Sequence, residues 1–157
     1  MRLLRTLVIF ELGAWAGMAT AAALAKRALP SRGNEESDEV TLMAIFDGIE
    51  LKSRAQAFRG GSMFAWFGGV AVDLTEAKLA PDARLTIGAL FGGVDVKVPP
   101  GWRIVATGRA IAGGISDDVP VPEDPEAPTL VVESTAALGG ISIRAAETPA
   151  VAAAAES

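Results

Sequence analysis

The feature that most constrains this chain is an internal repeat. Five stretches share one pattern: a hydrophobic residue, a glycine pair or near-pair, then alternating apolar and polar residues. Three of them are Phe46-Asp47-Gly48-Ile49-Glu50-Leu51-Lys52, Phe67-Gly68-Gly69-Val70-Ala71-Val72-Asp73-Leu74 and Phe91-Gly92-Gly93-Val94-Asp95-Val96-Lys97-Val98. The others are Ala112-Gly113-Gly114-Ile115 and Leu138-Gly139-Gly140-Ile141-Ser142-Ile143-Arg144. The second glycine falls at positions 48, 69, 93, 114 and 140, which gives spacings of 21, 24, 21 and 26. Self-similarity at such a period belongs to repeat architectures, where each unit buries its apolar face against its neighbours.

Each unit reads as strand, glycine corner, strand and connecting loop. Val94, Val96 and Val98 alternate with Asp95 and Lys97, the period-2 signature of a strand with one buried face. Ile49 and Leu51 against Glu50 and Lys52 repeat it, as do Ile141 and Ile143 against Ser142 and Arg144. A second apolar run precedes the glycines, such as Leu85-Thr86-Ile87-Gly88-Ala89-Leu90 or Leu130-Val131-Val132. Glycine suits the corner because it adopts positive φ and admits a neighbouring backbone. Phe46, Phe67 and Phe91 recur at equivalent places and are expected to stack along a common core. The expected fold is all-β: a β-solenoid of about five units paired in parallel, with an antiparallel β-sandwich as the alternative.

Composition narrows the chemistry. The 157 residues include no Cys and no His, and Tyr is absent as well. A thiol nucleophile, a disulfide framework, a Cys/His zinc site and a histidine acid/base are therefore excluded. Charge is unevenly placed. Residues 1–33 carry a net charge of +4, whereas residues 34–157 carry −9, with eighteen acidic side chains against nine basic ones. An acidic body repels phosphate backbones, so nucleic acid is not an expected partner.

The basic portion flanks an apolar segment. Thr6 to Ala25 holds twenty residues with a single charge, Glu11, and Lys26-Arg27 closes it. About twenty apolar residues suffice for a helix to cross the hydrocarbon layer. The expectation is one membrane-spanning anchor helix within residues 1–29, placing the chain at the cell membrane as a single-pass protein. A cleavable signal peptide ending near Ala23-Leu24-Ala25 is the competing reading. Gly13 and Gly17 form a GxxxG, a candidate packing face for a second helix or simply part of a small-residue span. Basic residues stand on both sides, so charge does not orient the span.

Beyond it, residues 30–39 read as an acidic linker and 40–145 as the repeat β domain, with 146–157 a disordered tail. Residues 117–128, DDVPVPEDPEAP, hold four prolines and five carboxylates and read as an extended loop.

The units at Phe67 and Phe91, with Val70-Ala71-Val72-Asp73-Leu74-Thr75-Glu76-Ala77-Lys78-Leu79 after one and Val98-Pro99-Pro100-Gly101-Trp102-Arg103-Ile104-Val105 after the next, resemble the C-terminal domain of LiaF-type proteins. These are bacterial membrane proteins of the cell-wall-active antibiotic response. The resemblance covers about residues 40–145. It implies a β-helical domain fixed to the membrane, a non-enzymatic regulator of the envelope stress response that restrains a sensor kinase by contact. Asp47 stands where the first glycine of the opening unit would be, and Ala112 and Leu138 where Phe would be.

Trp66, with Phe64 and Phe67, and Trp102 are candidate partner contacts, although core packing explains each as well. Asp73, Glu76, Asp95, Asp117 and Asp118 invite a metal or acid/base reading, but no spacing matches a calcium loop. No Lys-Ser/Thr follows the glycine pairs, so they are not phosphate loops. No cofactor or metal is expected. The expected function is contact with a sensor kinase or another membrane protein. Self-assembly into a homo-oligomeric scaffold through exposed ends is the alternative, and a glycan-active enzyme is a third class.

Overall fold

A computed structural model describes residues 31–147. The expected anchor, with Gly13 and Gly17, and most of the expected tail lie outside the described residues. Among those described there are ten strands and no helix. Unit 1 is β1 (Glu39–Ile45) and β2 (Gly48–Lys52), and unit 2 is β3 (Phe58–Trp66) and β4 (Gly69–Asp73). Unit 3 is β5 (Leu79–Leu90) and β6 (Gly93–Val98), followed by unit 4, β7 (Arg103–Ile111) and β8 (Gly114–Asp118). Unit 5 is β9 (Thr129–Ala137) and β10 (Gly140–Ala145). Each unit gives its first strand to one five-stranded sheet and its second to another. Every strand-to-strand pairing within the two sheets is parallel. The fold is thus all-β with parallel sheets, compatible with the expected solenoid, and the antiparallel hairpins of the sandwich alternative are not what pairs these strands.

The alternation seen in the sequence does the packing. In β6, Val94, Val96 and Val98 are buried while Asp95 and Lys97 face out. Parallel register places equivalent residues in rows across the units. Leu51, Val72, Val96 and Ile143 form one core row, and Ala44, Ala65, Ala89 and Ala136 form another on the facing sheet. Rows of like apolar residues fill the space between the sheets, and this burial is the main stabilising term.

The stacking order differs from the chain order. The sheets run β1-β3-β5-β9-β7 and β2-β4-β6-β10-β8, so unit 5 is inserted between units 3 and 4. Pro99-Pro100-Gly101-Trp102, with Gly101 at φ 91°, carries the chain past the place that unit 5 later fills. The proline-rich loop after β8 then brings it back. That loop is a return connection forced by topology. Asp117 and Asp118 end β8, so the expected loop begins only at Val119, and its four prolines and three carboxylates keep it from pairing as a strand.

The polar segment expected as a solvated linker lies against unit 1. Arg32 and Thr41 exchange two backbone hydrogen bonds, of 2.6 and 2.7 Å, and the Ser31 hydroxyl accepts from the Met43 amide at 3.0 Å. The Arg54 amide donates to the Glu35 carbonyl, and their side chains form an ion pair. Residues 31–38 therefore cover the free edge of β1.

One core position breaks its row. Leu42, Met63 and Ile87 are followed by Ser134, which is 5% exposed and whose hydroxyl has no hydrogen-bond partner. A buried hydroxyl left unsatisfied costs roughly 1–3 kcal/mol. Ser134→Ala is expected to stabilise the domain by about 1 kcal/mol, read as a higher urea midpoint with an unchanged slope.

Candidate functional site

The repeated corner between the two sheets is where the units present chemistry to solvent. Hydrogen bonds run along it in opposite senses at two positions. The Phe46, Phe67 and Phe91 amides donate to the Trp66, Leu90 and Ala137 carbonyls at 3.1, 3.1 and 3.2 Å. At the second glycine of the corner the Gly69, Gly93 and Gly140 amides donate back to the Asp47, Gly68 and Gly92 carbonyls, each at 3.0 Å. At unit 1 the Gly48 amide has no earlier unit to reach, and the Asp47 carboxylate accepts from it at 2.9 Å. Asp47 therefore caps the ladder, which gives a physical reason for its place in the first unit instead of glycine.

The glycine pairs work differently from the expectation. None of their nine glycines has a positive φ. The left-handed residue is the one before them: Phe46, Phe67, Phe91, Ala112 and Leu138 lie at φ 50–55°. The first glycine of a pair is required by close approach instead. A Cβ on Gly68, Gly92, Gly113 or Gly139 would lie 2.2–2.4 Å from the carbonyl oxygen of the neighbouring corner. The second glycines, at 48, 69, 93, 114 and 140, meet nothing closer than 3.8 Å. They floor a shallow groove of about 940 Å³ that crosses the units, with Glu50, Asp95, Ser116 and Ser142 along it.

The phenylalanines also differ from the expectation. They stack, with ring centroids 4.9 Å apart for Phe46–Phe67 and 4.7 Å for Phe67–Phe91, at interplanar angles of 4° and 5°. But the stack is outside the core: Phe46, Phe67 and Phe91 are 47%, 38% and 47% exposed. The left-handed corner turns each side chain outward, so the core aromatics are Phe58 and Trp102 instead. Leu138, 52% exposed, follows Phe91 in the stacking order, and Ala112 ends the row. Trp66 stays half-buried and lies 6.2 Å from Phe67, which keeps it at the patch. Trp102 lies in the core rather than at this patch. It is 6% exposed, because the turn after Pro99-Pro100 folds it onto the core.

The carboxylates are dispersed. Among the described residues no group of three or more acidic side chains could hold a metal. Asp95 pairs with Arg144 at 2.5 Å and Glu76 with Lys52 at 2.6 Å. Burial pushes the Asp73 carboxyl up, but the Thr75 hydroxyl and amide, then Lys97 and Lys52, outweigh it and hold it below its ordinary value. Asp73 accepts both Thr75 bonds on one oxygen, at 2.5 and 2.9 Å, and so fixes the turn after β4.

No family model, no curated protein and no solved structure matches this chain. Among the described residues no helix is long and apolar enough to cross a membrane.

Proposed function

We propose that this chain is a membrane-anchored, non-enzymatic interaction protein of the bacterial envelope stress response. It acts by contact, with a sensor kinase as the partner that the LiaF resemblance implies. Its repeat domain is read as a β-solenoid whose working surface is the exposed phenylalanine corner.

The observation that supports this reading most is the strain at that corner. A bulky residue in the left-handed region costs roughly 1–2 kcal/mol, and glycine or asparagine would avoid most of it. Three phenylalanines occupy the position, side by side and about half exposed. Strained, exposed aromatics argue for a role outside the fold, since aromatic side chains dominate contact hot spots. The flat stacking leaves ring edges facing solvent, which suits an apolar or carbonyl-rich protein surface better than a sugar face.

A two-hybrid assay of the full chain against envelope-stress sensor kinases tests the reading. A signal with at least one kinase is expected, and silence against all of them contradicts the regulatory role.

A further inference from the structure

The two ends of the stack are unlike. At unit 1, residues 31–38 hydrogen-bond along β1 and Asp47 closes the corner ladder. At unit 4, no segment among the described residues pairs with the outer edge of β7 or β8. Val105 and Ile111 on β7 are 46% and 64% exposed. An open nine-residue edge presents a row of backbone donors and acceptors that another strand can pair with.

Continuation of the stack by a further parallel unit is opposed at β8. On β8, Asp117 aligns with the buried Ile143 and so takes a core-side position at the end of the sheet. An inward carboxylate there opposes pairing along β8. A head-to-tail filament would also need the unit 1 end, which is covered.

We propose that the open β7 edge pairs with β7 of a second copy of this chain, antiparallel about a twofold axis. Two open ends can meet only head to head, so the assembly closes at a dimer. Full overlap of the nine residues puts the axis at Thr107, the middle of β7. In that register Val105 faces Arg109 of the second copy and Arg103 faces its Ile111. On the other face Ile104 faces Ala110, and Ala106 faces Gly108. No like charges oppose each other, and the exposed Val105 and Ile111 are covered. The strand edge is short, about 30 Å for nine residues, so the contact sits near the lower limit of stable interfaces and should depend on concentration.

The chain has no cysteine, so a single introduced thiol reports the contact cleanly. Opposed residues in antiparallel strands lie about 4.5–5.5 Å apart at Cα, within disulfide reach. Thr41 occupies the same row as Thr107 on the covered edge, through Ser62, Thr86 and Glu133. In the full chain, mildly oxidised Thr107→Cys is expected to form a covalent dimer, and Thr41→Cys to stay largely monomeric. Thr107→Lys, which sets two cations face to face, should weaken concentration-dependent association at least tenfold. Equal cross-linking at both positions, or none at Thr107→Cys, overturns the proposal.

Discussion

Gly92→Ala is expected to destabilise the domain by on the order of 3 kcal/mol or more, the upper range for overpacking between parts that cannot yield. The added Cβ would lie 2.3 Å from the Gly68 carbonyl oxygen, and the nearest atoms are all backbone. Relief requires units 2 and 3 to separate at the corner. That separation breaks the hydrogen bond from the Gly93 amide to Gly68 and loosens the Phe67–Phe91 stack. Gly140→Ala is the matched control. Nothing lies within 4 Å of its Cβ position and its φ is not positive. It should be neutral or stabilising by up to about 1 kcal/mol, because alanine has less freedom to lose on folding. Urea unfolding of the two variants separates them: a large drop in midpoint for one and none for the other. Similar losses in both would mean that the glycine pair is required as a unit.

Phe67→Gly has the opposite character, with a large expected effect on contact and a small one on stability. It removes two stacked pairs, worth about 0.5–1.5 kcal/mol each beyond area. It also relieves a left-handed phenylalanine at φ 54°, worth roughly 1–2 kcal/mol. The two nearly cancel, and net stability should stay within about 1.5 kcal/mol of the parent. Binding through the corner should fall at least tenfold, as expected for an aromatic at the centre of a contact. The pair of readouts is a urea midpoint and a two-hybrid signal with the same partner. A retained signal in a folded Phe67→Gly chain would take the phenylalanine row out of the contact.

Much of the fold could be read from local pattern. Val94, Val96 and Val98 declare a strand with one buried face, and the recurrence of that pattern after each glycine pair declares the units. Three things could not be read that way. One is the side on which Phe46, Phe67 and Phe91 lie, which depends on a single backbone dihedral at the corner. Pattern rules assign positive φ to the glycines, but the close approach of neighbouring corners uses them for space instead. Another is the order of the units. Parallel units offer similar hydrogen-bonding edges, so nothing local says that unit 5 belongs between units 3 and 4. Unit 4 does carry a trace of its end position in hindsight: Ala112 at the corner and Asp117 on the core side. The third is the coverage of unit 1. Composition makes residues 30–39 read as a solvated linker, whereas backbone hydrogen bonds of Arg32 and Glu35 hold residues 31–38 against unit 1. Asp47 was the most informative departure from the repeat, since a carboxylate there satisfies the Gly48 amide left without a neighbour.

The candidate site was half legible. The recurring Phe and glycine positions pointed to the corner, and Trp66 lies beside it. Trp102 pointed elsewhere, because a tryptophan after Pro-Pro-Gly has the same sequence appearance whether it folds inward or outward. Its burial follows from the turn with Gly101 at φ 91°.

The most direct measurement is site-specific photo-cross-linking in the cells that make this protein. A benzophenone side chain replaces Phe67 in one experiment and Glu133, on the exposed face of β9, in another. Capture of an envelope-stress sensor kinase at Phe67 but not at Glu133 is the predicted result. No kinase at Phe67, or equal capture at both positions, would contradict a contact made through the phenylalanine corner.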